Sequence, residues 1–97
     1  MSVMIIMELD GVTMEDYDAV RKHVGWELDP PPGGICHVAA RSDEGLRVVD
    51  IWESAEQFQH FIETRLMPGV RQLGISGDPR LHVLPIHALF APGLPQP

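Results

Sequence analysis

The sequence predicts a single α+β domain whose elements follow the order β-α-β-β-α-β. Three observations predict it. Four short runs rich in apolar and β-branched residues are typical of strands, two intervening segments carry helical spacing behind capping residues, and four turn-forming residues join the second and third strand-like runs. A chain of 97 residues has room for one such domain and not for a second.

The first strand and the first helix both have recognisable ends. Residues 3–9 form an apolar run that predicts a strand buried on both faces, and Asp10-Gly11 closes it with a turn. Thr13 is a typical N-cap residue, and it is followed by the carboxylates of Glu15 and Asp16. The helix macrodipole favours negative charge in the first turn. We therefore expect the first helix over about residues 13–24.

A proline-rich loop and a hairpin follow. Residues 26–34 contain three consecutive prolines and two glycines, which exclude a helix or a central strand. The runs 35–41 and 46–53 predict two strands, and residues 42–45 between them have the turn chemistry of a β-hairpin.

The second helix begins at a capping box. Ser54 is followed three residues later by Gln57, and apolar residues recur at helical spacing from Phe58 onward, which predicts one packed face. Pro68-Gly69 is expected to kink or interrupt this helix.

The last strand is predicted from Leu81 to Phe90, and Pro85 within it indicates an edge strand or an irregularly paired one. Residues 91–97 hold too much proline for regular structure, so we expect a tail that is disordered or laid along a neighbouring chain. The domain itself is expected to span residues 1–90.

This order of elements is the ferredoxin-like, or split βαβ, arrangement, a sandwich in which helices cover one face of a sheet. The first and third strands are apolar on both sides, which implies that the second sheet face is buried as well. The sheet of a second copy supplies that cover most simply, so the sequence predicts a homodimer.

Charge and cysteine content exclude several classes of function. Fourteen acidic side chains against seven basic ones give a net charge of −7 without any basic run, so no nucleic-acid partner is expected. The longest apolar run is far shorter than the roughly 20 residues that span a bilayer and no leader segment precedes it, so we expect a cytoplasmic protein without a membrane partner. The single cysteine, Cys36, excludes an intrachain disulfide and a multi-cysteine zinc site.

Four stretches of the chain carry a family resemblance. They are Val48-Val49-Asp50-Ile51-Trp52-Glu53-Ser54, the pair Phe58 and Phe61, Leu66-Met67-Pro68, and Leu84-Pro85-Ile86-His87. Over about residues 3–90 the chain resembles the dimeric α/β-barrel superfamily, in particular the small proteins related to antibiotic-biosynthesis monooxygenases. The resemblance implies two ferredoxin-like subunits whose sheets close into one barrel, with a ligand cavity in each subunit between sheet and helices. Some relatives oxygenate polycyclic aromatic substrates without metal or flavin, others degrade haem, and many have no assigned activity, so the resemblance does not fix the function.

Haem degradation fits this sequence poorly. Relatives of that kind share the Trp-x-Ser helix start but place a haem-ligating histidine late in the second helix region, where residues 69–72 of this chain contain none. Their ring-distorting Trp falls near Phe61 here, and the Asn of their first strand falls near Met7. Haem binding is kept as an alternative, and no cofactor is expected.

One pair of residues on the hairpin is a candidate catalytic site. An even-length loop between the two strands places His37 opposite Asp50 and Ile35 opposite Trp52. A carboxylate beside an imidazole fixes its tautomer and raises its basicity, which suits a general base that abstracts a phenolic or α-carbonyl proton. The same contact could instead satisfy two buried polar groups and fix the strand register.

Bulky side chains are candidates to line a pocket for an aromatic ligand. The substrate-binding candidates are Trp52, Phe58, Phe61 and Tyr17, with His87 added because the resemblance places its strand beside the partner's sheet. Phe58 and Phe61 also fit ordinary core positions. None of the five histidines has the spacing of a zinc or iron site, so no metal is expected.

Together these features predict a homodimer that binds a small apolar or aromatic molecule, and two functions stay open. The first, which the resemblance suggests, is a cofactor-independent, monooxygenase-like enzyme or one that catalyses a related proton transfer, with His37 as base, Asp50 orienting it and Trp52 packing the substrate. The second is a non-catalytic ligand-binding or accessory protein. A solvent-connected cavity that reaches His37 favours the enzyme, and side chains that fill that space favour a structural role.

Overall fold

The computed structural model describes residues 1–75 and 79–94, and it confirms the predicted α+β order of elements. Residues 95–97 of the predicted tail lie outside the described residues. No helix in the described ranges is long and apolar enough to cross a membrane. The elements are β1 Val3–Asp10, α1 Met14–Val24, β2 Gly34–Ser42, β3 Gly45–Trp52, α2 Ala55–Phe61, a π-helical turn Ile62–Leu66, α3 Met67–Gln72 and β4 Arg80–Pro85.

The four strands form one antiparallel sheet in the order β2-β3-β1-β4. This is the predicted ferredoxin-like topology, in which each βαβ unit leaves a gap that a strand of the other unit fills. The core lies between one sheet face and the helices, because alternate residues of β1 and β3 point toward α2. The buried members of the core are Val3, Ile5, Met7, Val12, Leu46, Val48, Trp52, Phe58 and Phe61.

The opposite face of the sheet is uncovered in the single chain. Val38 on β2, Val49 on β3 and Leu84 on β4 expose 53%, 38% and 45% of their surface. The burial predicted for both faces of β1 and β3 is therefore only half fulfilled within one chain, since the described helices pack on the other face. Cover from a second copy stays a prediction.

Both predicted helix starts are confirmed. The Thr13 hydroxyl accepts a hydrogen bond from the Asp16 backbone N–H at 3.0 Å, and the Asp16 carboxylate accepts one from the Thr13 N–H at 3.2 Å. Ser54 accepts from the Gln57 N–H at 3.2 Å, but its hydroxyl donates to the Gln57 side-chain oxygen at 2.9 Å. Only half of the predicted capping box therefore forms at α2, because the Gln57 side chain turns to the hydroxyl instead of the Ser54 N–H.

Of the two outcomes predicted for Pro68-Gly69, a kink or an interruption of the helix, the interruption is wrong, because α3 runs through both residues. The chain stays helical over residues 55–72, with the π-helical turn directly before α3. A proline inside an α-helix lacks the N–H donor and clashes with the carbonyl four residues earlier. In the wider turn the Met67 N–H donates to the carbonyl of Ile62, five residues back, and this change of register accommodates the proline near the start of α3.

The last strand is shorter than predicted, since β4 ends at Pro85 and not at Phe90. Pro85 pairs with Val3, and beyond it the Ile86 N–H donates to the carbonyl of Ser2 at 2.9 Å. Pro85 has no N–H with which to extend the ladder. The edge position predicted from this proline is confirmed, because β4 lies at the end of the sheet next to β1.

The hairpin turn brings Gly45 unusually close to another part of the backbone. Its φ is +146°, and a Cβ atom there would lie 2.5 Å from the carbonyl oxygen of Leu9 and 2.8 Å from the backbone nitrogen of Gly11. Gly11 also has a positive φ, +80°, but a Cβ atom on it would meet nothing within 4 Å. A side chain would therefore cause backbone strain at both glycines, but steric overlap only at Gly45.

We predict that Gly45→Ala lowers the free energy of unfolding by at least ~2 kcal/mol more than Gly11→Ala does, because only the first adds a clash with backbone atoms to the strain of a positive φ. Urea unfolding followed by tryptophan fluorescence measures both variants. Equal losses in the two variants would contradict the close approach at Gly45.

Candidate functional site

A cavity of about 520 Å³ lies between the inner sheet face and the helices, a volume within the range of small-molecule sites. It is partly open to solvent, and it reaches His37. Most of its wall is hydrocarbon, so an apolar molecule fits it best. The residues of the wall with hydrogen-bonding or ionisable side chains are Tyr17, Trp26, Cys36, His37, Asp50, Trp52 and Gln59.

The hairpin register brings the predicted pair together. His37 is the partner of Asp50 across β2 and β3, and its Nδ1 lies 2.6 Å from Asp50 Oδ1. The Asp50 side chain is only 6% exposed, whereas the His37 side chain is 31% exposed. The imidazole therefore links a buried carboxylate to the open part of the cavity.

The pairing predicted between Ile35 and Trp52 is wrong. A register shift between Gly34 and Cys36 places Gly34 opposite Trp52 and leaves Ile35 as the extra residue of a bulge. The shift lies beyond Cys36, so it does not disturb the pairing of His37.

Both oxygens of the Asp50 carboxylate are occupied. Oδ1 faces His37, and Oδ2 accepts a hydrogen bond from the indole Nε1–H of Trp52 at 3.1 Å. Trp52 is two residues along the same strand, so its side chain lies on the same sheet face. The sequence predicts the shared face and the packing role of Trp52. The hydrogen bond from Trp52 to Asp50 was not predicted, although the spacing of two residues on one strand was a signal for it.

Tyr17 supplies the other end of a hydrogen-bonded chain. Its hydroxyl lies 2.7 Å from His37 Nε2. In the neutral imidazole Nδ1–H donates to the carboxylate, which leaves Nε2 as an acceptor, so the Tyr17 O–H is the donor. Burial raises the pKa of Tyr17 above its ordinary value, and the phenol accordingly stays protonated at neutral pH. This contact joins α1 to β2, 20 residues apart, and the sequence carries no local signal for it.

Trp26 closes the aromatic wall around His37. Its ring centroid lies 4.9 Å from that of His37, 6.1 Å from that of Tyr17 and 6.3 Å from that of Phe61. The neighbouring residue Glu27 is hydrogen-bonded to Arg21 of α1, with Nη2 to Oε2 at 2.7 Å, and these bonds hold the pKa of Glu27 below its ordinary value. The ion pair ties the loop that carries Trp26 to the first helix.

The structure brings most of the predicted site residues together. Trp52, Phe58 and Phe61 are buried in the core and line the cavity as well, so their two predicted roles coincide. His87 is exposed, follows the end of β4, and is not part of the cavity wall. Its predicted contact with a ligand stays a prediction. Among residues 1–75 and 79–94, no group of three or more His, Cys, Asp or Glu side chains is placed to hold a metal ion.

Comparison by sequence found no matching protein-family model and no matching curated protein. Comparison by structure found several similar proteins. SnoaB, a cofactor-independent oxygenase from Streptomyces nogalater, superposes with a TM-score of 0.67 at 12% identity, over 91% of this chain and 95% of that one. A provisionally named antibiotic biosynthesis monooxygenase from Chloroflexus aurantiacus J-10-fl has a TM-score of 0.62 at 14% identity, over 93% and 98% of the two chains.

A third similar structure contains a ligand. It is a monooxygenase from the gene ActVA-Orf6 of Streptomyces coelicolor in complex with Nanaomycin D, with a TM-score of 0.54 at 18% identity, over 93% of this chain and 91% of that one. At these identities the likeness shows the fold alone. This chain therefore has the ferredoxin-like fold found in antibiotic biosynthesis monooxygenases, as the sequence resemblance predicts.

We predict that Trp52→Phe lowers the free energy of unfolding by about 1–3 kcal/mol, because it leaves one oxygen of a buried carboxylate without its donor. Asp50→Ala and the double variant complete a thermodynamic cycle measured by urea unfolding. The double variant should lose less stability than the two single losses together, since both remove the same hydrogen bond. Simple additivity would show that this bond contributes nothing.

Proposed function

We propose that this protein is a monooxygenase-like enzyme that binds a small apolar or aromatic molecule and activates it with His37 as general base, without a bound cofactor. The observation that carries the proposal is the His37–Asp50 pair, which stands at the wall of an otherwise hydrocarbon cavity. The similarity in fold to a cofactor-independent oxygenase supports it.

The geometry suits removal of a proton from a phenol or from a carbon next to a carbonyl. The basic electron pair of His37 is on Nε2, and the buried Asp50 carboxylate stabilises the imidazolium that forms. The deprotonated substrate is electron-rich and is itself the reductant of dioxygen. One oxygen atom enters the substrate as a carbonyl group, and the other leaves as water with two substrate hydrogens.

The aromatic side chains have the role of holding the substrate against this base. Trp52 lies 5.6 Å from Phe58 and 5.3 Å from Phe61 between ring centroids, so the three buried rings form one aromatic cluster. The half-buried rings of Tyr17 and Trp26 extend this cluster to an aromatic surface beside His37. Flat aromatic ligands pack on such surfaces in tilted or offset arrangements.

A non-catalytic binding protein is the second candidate, and one observation favours it. Nε2 of His37 is already hydrogen-bonded to Tyr17, so both imidazole nitrogens have partners inside the protein. The same two hydrogen bonds argue against haem binding. In the described part of the chain His37 is the histidine that lines the cavity, and neither of its nitrogens is free to bind the haem iron.

The uncovered sheet face supports a homodimer. Its apolar centre adjoins a cluster of both charge signs, in which Arg47 pairs with Asp10 at 3.0 Å and Arg80 pairs with Glu8 at 3.2 Å. Because these charges are already paired within the chain, the face carries no uncompensated charge beside its apolar centre that would repel the same face of a second copy. In such a dimer the resemblance to the dimeric α/β-barrel superfamily places the strand that precedes His87 beside the partner's sheet.

For the catalytic proposal we predict that His37→Gln lowers kcat by about 10²–10⁴-fold and that Asp50→Asn lowers it less, while the Kd of the substrate changes little. His60→Gln on the exposed face of α2 is the matched control and keeps full activity. Oxygen uptake with anthrone-type and quinol substrates measures the rate. Losses of stability without loss of turnover in the folded His37 and Asp50 variants would end the catalytic proposal and leave the binding protein.

For the assembly we predict a species of twice the 10.8 kDa chain mass by light scattering at micromolar concentration, with more than ~1,200 Å² buried in total. Val49→Glu places a charge in the apolar centre of the uncovered face and should shift the mass toward the single chain. Gln72→Glu, an exposed position on α3, should not. A monomeric wild-type protein would refute the dimer.

A further inference from the structure

The resting structure leaves His37 with no free electron pair for a substrate. Nδ1 faces Asp50 at 2.6 Å, and the Tyr17 hydroxyl lies 2.7 Å from Nε2. A neutral imidazole has a single acceptor site, and the phenol uses it. A substrate must therefore either displace Tyr17 or react through its oxygen.

Displacement of Tyr17 is opposed by its surroundings. The residue sits on α1 and packs against the core, with the Trp26 ring 6.1 Å away. The end of α1 is fastened to the second helical segment by a hydrogen bond from Arg65 Nη2 to the carbonyl of Val24 at 3.0 Å. Moving the phenol out of line would break its hydrogen bond to His37 and uncover apolar wall.

The orientation of Tyr17 is suited to conduct a proton. The planes of the Tyr17 and His37 rings are within 5° of parallel, with centroids 5.9 Å apart, and the Tyr17 hydroxyl lies 2.7 Å from Nε2. This distance is that of a hydrogen bond, the contact through which a proton passes from an O–H group to an imidazole nitrogen. A hydroxyl oxygen that donates to Nε2 keeps acceptor capacity for a second hydrogen bond.

We propose, as an extension of the function proposed above, that the Tyr17 hydroxyl and not His37 is the group that contacts the acidic hydroxyl of a phenolic or enolic substrate. The substrate proton moves to the Tyr17 oxygen while the Tyr17 proton moves to His37 Nε2. The substrate becomes an anion, His37 becomes an imidazolium against Asp50, and Tyr17 is neutral before and after. Since its pKa is raised by burial, Tyr17 is a conductor of the proton and not its resting acceptor.

Binding of an indicator phenol tests this relay without turnover. The probe is 2-hydroxyanthraquinone, whose absorption moves to longer wavelength when it ionises, at a pH below its own pKa in water; anthraquinone is the matched ligand without a hydroxyl. We expect the wild-type complex to show the phenolate band. Tyr17→Phe should lower the phenolate fraction by at least about tenfold while the Kd of anthraquinone stays within about twofold.

The other outcomes separate the relay from the proposed function. A phenolate fraction that is kept or raised in Tyr17→Phe, but lost in His37→Gln, overturns the relay alone and makes Tyr17 a plug over the base. A phenolate band that persists in His37→Gln overturns the proposed base and the relay with it. A wild-type complex that stays in the phenol form does the same.

A second measurement keeps the test valid if Tyr17→Phe folds poorly. The sequence has one tyrosine, so growth with 3-fluorotyrosine labels this position alone. In a relay the ¹⁹F resonance stays in a protein environment when ligand binds, and it differs between 2-hydroxyanthraquinone and anthraquinone complexes. A resonance that moves to the position of free fluorotyrosine in water shows that the ring has left, which overturns the relay.

Discussion

Asp50 is buried in an interior made mostly of hydrocarbon, and the hydrogen bonds of the candidate site are arranged around its carboxylate. A buried charge loses its hydration, and its free energy is acceptable only when partners offset that loss. Trp52 and His37 each take one oxygen, and in the described chain no buried side-chain polar atom lacks a partner. The orientation of the imidazole and its reach into the cavity follow from this requirement.

The scaffold meets that requirement through local features of the hairpin. The two-residue loop between Ser42 and Gly45 sets the register, and the register sets His37 opposite Asp50. The bulge at Ile35 lies on the far side of Cys36 and leaves the pairing of His37 unchanged. It places Gly34, which has no side chain, next to the Trp52 ring. The stability of the hairpin and the geometry of the candidate site therefore both depend on the pairing of β2 with β3. A change to the turn would alter both.

The residues that line the cavity say more about the function of this protein than its fold does. Similar structures at 12–18% identity establish a ferredoxin-like domain, and one fold supports several chemistries. The candidate site of this chain is built on a hydrogen-bonded series that runs from Tyr17 through His37 and Asp50 to Trp52. It crosses three elements beside an apolar cavity, where a hydrogen bond is stronger than in water.

The sequence by itself determined the order of elements, the helix starts at Thr13 and Ser54, and the pairing of His37 with Asp50, because caps, turns and strand alternation act over a few residues. It did not determine that the helix continues past Pro68. Local propensity predicts that a proline ends a helix, but here a π-helical turn before Pro68 relieves the clash. Nor did it place Tyr17 on His37 or Trp26 over it. Those contacts depend on how α1 packs across the sheet, and packing between distant elements is decided only when the whole core assembles.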